Sequence, residues 1–586
     1  MSYDNIFTMA LKYFDEGNFP EAERLARQIH HTAPNNPDVL NLLGLIAQAK
    51  GLHNEACSYF SAAIRQKNDN AGYLFNLAFS LKALGQYVDA LINFNKVLEL
   101  APTVKETHNE IACIYETIGD IDKARLHWQY AIQMSPDYLT AQTNLANSYR
   151  TDDINRATDM LENIIKEHPD DVLALYDMGW LKYNQSDYQS ALSYVGRALK
   201  EPSPADSIYY LQGLCFLAQN KTSDAQKSFT EAVNINSHNY DAMLCLADIL
   251  SRSGQYQQAE NFYKILLEAN ISNYLIPTNY GEMLYRQNRL LEALEQYHKA
   301  VILNPKSPDI SNNLGSILKD MGDYDKALEL FFNALALAED HQAASINIWE
   351  TLVLIDATDK EKALQIAKNW QKSYPNSPFA KQAVSIFEGE NIENNQIFTE
   401  QLFDGFADSY EMVMQNLDYS APMAVRRVAG PLEGRIVDLG CGSGLVGMVI
   451  KSPENYIIGV DLSAQMLSKA ASKKVYSELV KSDIFDFLSY RSDFKTIIAA
   501  DVFGYIPDIE KLLFLCKGKN IIFTIETLKG DKTKQIQSNG RLQHNPDHIK
   551  KILLQNRFCD IYMEDIVLRY ENETPVHGCI FKATGT

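Results

Sequence analysis

The sequence lacks a basic excess, a long apolar run and a basic leader. Its 74 acidic residues outnumber its 54 lysines and arginines, which gives a net charge of −20. Nucleic-acid binders present a basic surface, so this balance argues against nucleic acid as a partner. No apolar segment approaches the roughly 18 residues of a membrane span, and the first residues are acidic where a signal peptide carries positive charge. We therefore expect neither nucleic acid nor a membrane as partner.

Cysteine is sparse and scattered. None of the eight cysteines has a close neighbour at metal-ligand spacing. We therefore expect no bound metal, reduced thiols and a cytoplasmic location. At 586 residues the chain is too long for one hydrophobic core, so at least two domains are expected.

Alanine recurs about every 34 residues through the first part of the chain. The positions are Ala22, Ala56, Ala90, Ala124, Ala157, Ala191, Ala225, Ala259, Ala293, Ala327 and Ala363. A second small residue usually lies 12 residues earlier, as at Gly44 and Gly213, and a proline such as Pro102 often closes the unit. Two short helices cross closely only where small side chains meet, and proline ends the second helix. The spacing predicts one helix pair per unit.

This pattern resembles the tetratricopeptide repeat, with about eleven copies over residues 4–378. The resemblance implies that residues 1–378 form an all-α superhelix, a right-handed α-solenoid with a concave face. Solenoids of this kind usually hold proteins or peptides. We therefore expect a protein or peptide in the groove; the oligomeric state stays open.

Polar residues recur on the first helix of several repeats, two positions before the small residue. They are Asn76, Asn144, Asp177, Gln212, Asn279 and Asn313. The arrangement is similar to the asparagine ladder of the O-linked N-acetylglucosamine transferase solenoid, which grips extended peptide backbone. An amide can donate and accept hydrogen bonds at once, as peptide backbone requires. The alternative is that these residues are merely tolerated on a solvated face.

The pattern changes after a polar, Glu- and Asn-rich stretch at 379–400, which we interpret as a linker. Over 401–586, short β-branched runs alternate with helical stretches, which predicts a mostly parallel sheet covered by helices. The runs are Arg435–Leu439, Tyr456–Val460, Leu479–Lys481, Thr496–Ala500 and Asn520–Ile525. Two final runs, Ile561–Tyr570 and Val576–Lys582, flank the turn ENETP and predict an antiparallel hairpin. This Rossmann-like combination resembles the class I S-adenosylmethionine-dependent methyltransferases.

A glycine-rich turn, VDLGCGSGLVG, follows the first of these strands. Gly442, Gly444 and Gly447 also fit the G-x-G-x-x-G fingerprint of nicotinamide dinucleotide sites. However, Asp438 at the strand tip would repel a pyrophosphate, whereas it favours the ammonium and sulfonium of S-adenosylmethionine. The methyltransferase pattern D-x-G-x-G-x-G is matched from Asp438 to Gly444. The sequence predicts S-adenosylmethionine as the ligand.

The methyltransferase resemblance implies further cofactor contacts at the later strand ends. Asp461 ends the second strand, where an acid can bind both ribose hydroxyls, and Asp483 follows the third, where it can accept from the adenine amino group. Each acid alone could equally be a loop cap. The predicted cofactor-binding set is Asp438, Leu439, Gly440, Cys441, Gly442, Gly444, Asp461, Leu462, Met466, Asp483, Ile484, Asp501 and Tyr410.

Four further segments resemble a bacterial group of predicted methyltransferases that carry tetratricopeptide repeats. They are LFDGFADSYEMVMQNLDYSAP, AADVFGYIPDIEKL, SNGRLQHNPDHIKKIL and VLRYENETPVHGCI. That group often has tyrosine and alanine where Leu542 and Gln543 stand, so local contacts can differ here. The segment ADVFGY lacks the N/D-P-P-Y/F/W signature of amide- and base-N-methylating enzymes.

Methyl transfer requires alignment and, for an acceptor that carries a proton, a base. The candidate catalytic residues on loops are Asp501, Tyr505 and His544, of which only His544 has an ordinary pKa near neutrality. The alternative for His544 is packing ahead of a helix that starts at Pro546. The stretch 403–410 predicts a lid helix, with Phe406 and Tyr410 on one face, or plain core packing.

We therefore expect an S-adenosylmethionine-dependent methyltransferase whose solenoid recruits the acceptor, a protein or peptide. Two alternatives stay open. One is a scaffold whose methyltransferase-like domain binds the cofactor without catalysis. The other is an enzyme with a small-molecule acceptor whose repeats serve complex assembly.

Overall fold

The computed structural model of the chain describes residues 3–389, 396–571 and 573–586. The chain packs as two compact units, Met1–Leu266 and Leu267–Thr586. The predicted domain boundary lay at the stretch 379–400, whereas this division falls within the repeats. The last repeats therefore belong to the same compact unit as the α/β domain.

The first unit is made of paired helices with short connections. They are α1 (Tyr3–Asp15), α2 (Phe19–Thr32), α3 (Pro37–Ala49), α4 (His53–Gln66), α5 (Ala71–Ala83), α6 (Tyr87–Leu100), α7 (Lys105–Thr117), α8 (Ile121–Met134), α9 (Leu139–Ser148), α10 (Ile154–Glu167), α11 (Val172–Asn184), α12 (Tyr188–Ala198), α13 (Asp206–Ala218), α14 (Thr222–Ile235), α15 (Tyr240–Arg252) and α16 (Tyr256–Glu268). The division between the units lies in the last turn of α16.

The predicted small-residue contacts are confirmed. Every one of the recurring alanines has no exposed surface. At the partner position, a β carbon on Gly213 would lie 2.5 Å from Cε1 of Phe229, and one on Gly44 would lie equally close to Phe60. The aromatic ring of each second helix therefore fills the space that glycine leaves on the first.

The second unit begins with further helix pairs. They are α17 (Leu275–Arg286), α18 (Leu290–Leu303), α19 (Pro308–Asp320), α20 (Tyr324–Leu337), α21 (Gln342–Asp356), α22 (Lys360–Ser373), α23 (Pro378–Glu388), α24 (Gln396–Phe406), α25 (Tyr410–Asn416) and α26 (Ala421–Ala429). The expected linker thus contains α23 and the start of α24, while 390–395 lies outside the described residues. The rings of Phe379 and Phe398 pack with centroids 5.0 Å apart, and both are buried. This aromatic contact joins α23 to α24.

The α/β part alternates strands and helices as predicted. Its elements are β1 (Gly434–Leu439), α27 (Leu445–Ile450), β2 (Asn455–Asp461), α28 (Ala464–Ser472), β3 (Glu478–Lys481), α29 (Ile484–Tyr490), β4 (Thr496–Ala499), α30 (Ile509–Leu515), β5 (Asn520–Thr527), β6 (Lys534–Ile536), β7 (Leu542–His544), α31 (Pro546–Gln555), β8 (Phe558–Glu571) and β9 (Thr574–Gly585). The short β6 and β7 escaped the sequence analysis, because three residues show no usable periodicity.

The strands form one sheet in the order β3-β2-β1-β4-β5-β7-β6. The pairs among β1 to β5 are parallel, and β7 continues in parallel at the end of β5. β8 and β9 form the predicted antiparallel hairpin, and β9 pairs with the body of β5; Asn572 of its turn lies outside the described residues. The carboxyl ends of the parallel strands therefore meet at one edge, as expected for this fold.

Among the described residues, no helix combines the length and the apolar character needed to cross a membrane.

Candidate functional site

A cavity of about 360 Å³ lies at the carboxyl edge of the sheet. Its floor comes from the loops after β1 to β4, together with residues next to β7 and at the end of β8. Its roof is formed by α24 and α25 and is largely apolar. The roof residues are Thr399, Leu402, Phe403, Phe406, Tyr410, Val413, Met414 and Leu417. An apolar enclosure with a few polar groups is typical of a small-ligand site.

The glycine turn after β1 forms one wall of the cavity. Gly440, Gly442 and Gly444 have φ angles of +64°, +52° and +94°, which side chains rarely adopt. Gly440 and Gly442 line the cavity, and the Gly442 amide donates to Oδ2 of Asp461 at 2.8 Å. Of the other predicted turn contacts, Leu439 and Cys441 are buried, and Gly444 packs against Tyr476; none of the three is among the lining residues.

Asp438 lies behind the turn rather than in the cavity. Strand alternation places it on the same face as Ile436, where Tyr476 also packs. Its carboxyl is 1% exposed and accepts a hydrogen bond of 2.7 Å from the Tyr476 hydroxyl. Burial raises the pKa of Asp438 to about 7. The predicted role as a direct contact to the cofactor's ammonium therefore needs correction, since this residue supports the turn from below.

The acids after β2 and β3 do face the cavity. Asp461 accepts from the Ser463 amide at 2.9 Å, and Asp483 caps α29 through Oδ1, which accepts from the Phe485 amide at 2.8 Å. Both backbone amides that bind Asp483 donate to Oδ1, and no donor within the described part of the chain binds its Oδ2. Leu462, Met466 and Ile484, predicted to contact the cofactor, form the apolar lining beside these acids.

A charged network occupies the other side of the cavity. Asp501, with a φ of +60°, follows β4, and Arg541 precedes β7. The Arg541 guanidinium donates to Tyr505 Oη at 2.6 Å and also binds Asp501 and Glu526. Burial alone would raise the pKa of Glu526, but the neighbouring arginines lower it overall. The predicted residues Asp501 and Tyr505 are thus held together by an arginine that the sequence analysis missed.

A second arginine completes this network. Arg569, in β8, donates to Glu526 at 2.7 Å and to Glu571 at 2.7 Å. Both Arg569 and Glu526 are almost fully buried, at 4% and 1% exposure. The sequence does indicate that Arg569 and Glu526 are unusual, because each is a charged residue that interrupts the apolar run of its strand.

His544 does not line the cavity. The prediction placed it on a loop, but it ends β7, where it is 2% exposed and is not among the lining residues. Its Nε2 donates to the Phe503 carbonyl at 3.0 Å. Burial lowers the pKa of His544 to about 4, so the ring is neutral at pH 7. This geometry matches the packing alternative and not a base that faces the cavity.

The expected lid helix is two helices. α24 ends at Phe406 and α25 begins at Tyr410, with a turn between them. Phe403, Phe406 and Tyr410 all line the cavity, and the rings of Phe403 and Tyr505 lie 5.2 Å apart edge to face. Burial raises the pKa of the Tyr410 phenol, so it remains a neutral hydroxyl.

Comparison with known proteins gives separate matches for the two parts. The family profile described as "Methyltransferase domain" matches residues 436–517. Profiles described as "TPR repeat" and "Tetratricopeptide repeat" match residues 281–322, 311–343, 7–71 and 149–207. The chain joins tetratricopeptide repeats to a methyltransferase domain.

Two sequence relatives each align with about half of the chain. Protein CTR9 homolog of Arabidopsis thaliana is 25% identical over 302 residues, 48% of this chain and 27% of that protein. BBSome complex member BBS4 of Bos taurus is 22% identical over 362 residues, 54% of this chain and 69% of that protein. The chain thus spans only about a quarter of the first relative's length. A tetratricopeptide repeat protein structure from Parabacteroides merdae is 20% identical, covers 42% of this chain and 97% of that one, and has a TM-score of 0.38.

Within the tetratricopeptide repeats, the predicted polar positions are half-buried and several are already paired. Asn76 donates to Asn41 and Asn144 donates to Asn109, both at 3.0 Å, which links neighbouring repeats. Gln212 accepts from Ser228 at 2.8 Å. Asn279 and Asn313 are also half-buried.

Asp177 is the exception among the polar positions. It is 5% exposed, and its Oδ2 lacks a hydrogen-bond partner among the described residues. Burial raises the pKa of Asp177 to about 6. The predicted ladder therefore includes one carboxyl that is costly to bury.

Proposed function

We propose that the methyltransferase domain binds S-adenosylmethionine in the cavity and methylates an acceptor that the repeats recruit, a protein or peptide. One observation carries the proposal. Gly440 and Gly442, Asp461 and Asp483 line a single cavity at the ends of three neighbouring strands. This is the place where open α/β sheets bind nucleotide-like ligands.

The residues of the cavity suit each part of this ligand. Asp461 can accept from the ribose hydroxyls, and Oδ2 of Asp483 can accept from the adenine amino group. Leu462, Met466 and Ile484 offer apolar contact to the adenine, while the methionine part would lie at Gly440 and Gly442, close to Tyr410. S-adenosylmethionine would supply an electrophilic methyl group on sulfur; the chain supplies position and exclusion of water.

Electrostatics at the turn favours this ligand over a dinucleotide. A pyrophosphate needs free backbone amides at a glycine turn. Here the Gly442 amide already donates to Asp461, so a carboxylate stands where phosphate oxygens would bind. That carboxylate would repel the phosphates of a dinucleotide, whereas S-adenosylmethionine carries no phosphate.

The repeats reach the cavity through α24. Gly405 of this helix contacts Ile346 of α21 so closely that a β carbon at Gly405 would collide with Cδ1 of that side chain. On another face, Asp404 accepts from the Ser463 hydroxyl at 2.5 Å and from the Gln465 amide. Since Leu402, Phe403 and Phe406 of α24 also roof the cavity, an acceptor held by the last repeats is delivered next to the site. The eight free cysteines fit a reducing compartment such as the cytoplasm.

The test uses the full-length protein with S-adenosylmethionine that carries a tritiated methyl group. Protein and small-molecule fractions of a bacterial lysate are offered as separate acceptors. We expect label in the protein fraction. Label confined to the small-molecule fraction would favour the alternative in which the repeats serve assembly. No transfer to either fraction, despite cofactor binding, would favour the scaffold alternative.

A further inference from the structure

Building on the proposed function, we infer that the acceptor group is a carboxylate and that the product is a methyl ester. The inference rests on which side chains surround the half of the cavity that the cofactor would leave open. It concerns the chemical group at the reacting atom, whether a protein or a small molecule carries it.

The sheet order separates a cofactor half from an acceptor half. The glycine turn, Asp461 and Asp483 belong to β1, β2 and β3, which lie together on one side of the sheet. Asp501, Glu526 and Arg541 belong to β4, β5 and β7, which lie together on the other side. Since the first group suits the three parts of the cofactor, Asp501 and Arg541, which also line the cavity, face the acceptor.

Hydrogen-bond donors are concentrated in the acceptor half. Arg541, Arg569 and Tyr505 all line the cavity in this half. Nη1 of Arg569 has no hydrogen-bond partner among the described residues, although the side chain is only 4% exposed; its nearest anion, Oδ2 of Asp501, lies 3.7 Å away. A carboxylate accepts up to about four hydrogen bonds and pairs with guanidinium in a forked geometry.

Because three carboxylates already face two arginines here, an acceptor carboxylate enters only by exchange with one of them. The two arginines are matched by Asp501 and Glu526, which are 15% and 1% exposed at their side chains. Glu571 adds a third carboxylate, but it reaches Arg569 from the edge of the cavity, where its side chain is 44% exposed. We take Glu571 to hold the place that the acceptor carboxylate occupies when it enters. Exchange of one carboxylate for the other keeps the arginines neutralised.

The chemistry of such an acceptor needs no base. A carboxylate oxygen forms a bond to the methyl carbon while the methyl–sulfur bond breaks, and that electron pair stays on sulfur. No proton is transferred, and the products are an ester and a neutral thioether. An amine acceptor would instead have to lose a proton and lie beside two guanidinium groups. His544, buried and hydrogen-bonded to Phe503, does not face the cavity to take that proton.

A binding experiment tests the acceptor class without turnover. Full-length protein saturated with S-adenosylhomocysteine is titrated with hexanoate and with hexylamine, which share an apolar stem suited to the roof. We expect hexanoate to bind more tightly, by about tenfold or more, the value of one charged hydrogen bond. Tighter binding of hexylamine, or equal affinity for the two probes, would overturn the inference.

Two variants and a control locate the carboxylate. Glu571→Gln frees Arg569 and should tighten hexanoate binding several-fold, whereas Arg569→Gln should weaken it by about tenfold or more. Arg427→Gln removes an exposed arginine that pairs with Glu564 and should change nothing. Arg569→Gln leaves Glu526 with one partner fewer, so the protein with this substitution can unfold. The Glu571→Gln variant is therefore decisive: if it binds hexanoate as tightly as wild type does, or more weakly, the inference is contradicted.

The labelled product gives an independent readout. Methyl esters release their label as volatile methanol in mild base, whereas N-methyl groups do not. We expect the acceptor labelled from tritiated S-adenosylmethionine to lose its label in base. A base-stable label would contradict the carboxylate while leaving methyl transfer intact; absence of any label would instead count against the proposed function.

Discussion

Gly540 lies against the indole ring of Trp349. A β carbon on Gly540 would lie 3.4 Å from Cζ2 of that ring and 3.2 Å from Cδ1 of Ile386. Gly540 immediately precedes Arg541, which holds Asp501 and Tyr505, while Trp349 and Ile386 belong to α21 and α23. The last repeats thus support the loop that carries an arginine of the cavity, so repeats and site are mechanically connected within this unit.

A larger side chain at Gly540 should therefore impair the site. We expect Gly540→Leu to push the loop away from Trp349 and to lower methyl transfer by about tenfold or more, since small misplacements of aligned groups are costly. Gly518→Leu is the matched control: Gly518 also has a positive φ, of +72° against +81° for Gly540, but nothing lies near its β position. Equal activity of the two variants would show that the contact with the repeats is irrelevant.

His544 should prove structural. We expect His544→Gln, which keeps a donor for the Phe503 carbonyl, to retain most activity and the shape of the pH–rate profile between pH 6 and 8. Removal of a general base would instead cost about 100-fold or more. A loss of that size in a folded variant would show that His544 takes part in catalysis.

The buried imidazole also predicts a pH dependence of stability. Its folded pKa of about 4 lies below the ordinary value, so the unfolded chain takes up the proton first. The contribution of His544 to the free energy of unfolding is complete above about pH 6.5. It decreases as the pH drops toward 4, by about 3 kcal/mol in total. Chemical denaturation of wild type and His544→Gln across this range measures the difference.

Asp177 predicts the opposite trend in the first unit. Its folded pKa of about 6 lies above the ordinary value, so the folded state loses stability as the pH rises from about 4 to 6, by about 3 kcal/mol. Asp177→Asn should therefore slow hydrogen exchange in α11 at pH 7 and leave it unchanged at pH 4. Asp159→Asn, at an exposed position of α10, serves as control. Faster exchange in the Asp177 variant at pH 7 would contradict this account.

The asparagines of the repeats should affect the acceptor and not the cofactor. Asn76 uses one amide hydrogen for a neighbouring repeat, which leaves its second hydrogen and its carbonyl for a peptide. Asn144 donates to Asn109 and to Cys113, which leaves its carbonyl. Replacing Asn76, Asn144, Asn279 and Asn313 with alanine should raise KM for a protein acceptor, at roughly 0.5–1.5 kcal/mol for each hydrogen bond. An unchanged KM in a folded variant would mean that the groove does not hold the acceptor.

The repeats were predictable because their signal is periodic: a buried alanine about every 34 residues leaves little freedom in register. The strand-end acids Asp461 and Asp483 were predictable because each lies just after a short run with apolar residues that forms a strand. Asp438 was misplaced because the pattern D-x-G-x-G-x-G marks a position along the strand but not the face to which its side chain points.

Residues that act through long-range contacts were missed. Arg541 and Arg569 are 28 residues apart in sequence and are brought together by Glu526 of β5 and by Asp501. Similarly, the stretch at 379–400 looked like a linker, because its polar composition hides Phe379 and Phe398, which pack together in the second unit. Residues of this kind become neighbours only in the folded chain.

Calorimetry at the glycine turn tests the central claim most directly. Full-length wild type, Asp461→Asn and the control Asp565→Asn, at an exposed site of β8, are titrated with S-adenosylmethionine and with a nicotinamide dinucleotide. We predict that wild type and control bind S-adenosylmethionine and not the dinucleotide, and that Asp461→Asn weakens binding by about 1.5–3 kcal/mol for each charged hydrogen bond lost. Equal affinity of Asp461→Asn and wild type, or preference for the dinucleotide, would contradict the assignment of this cavity.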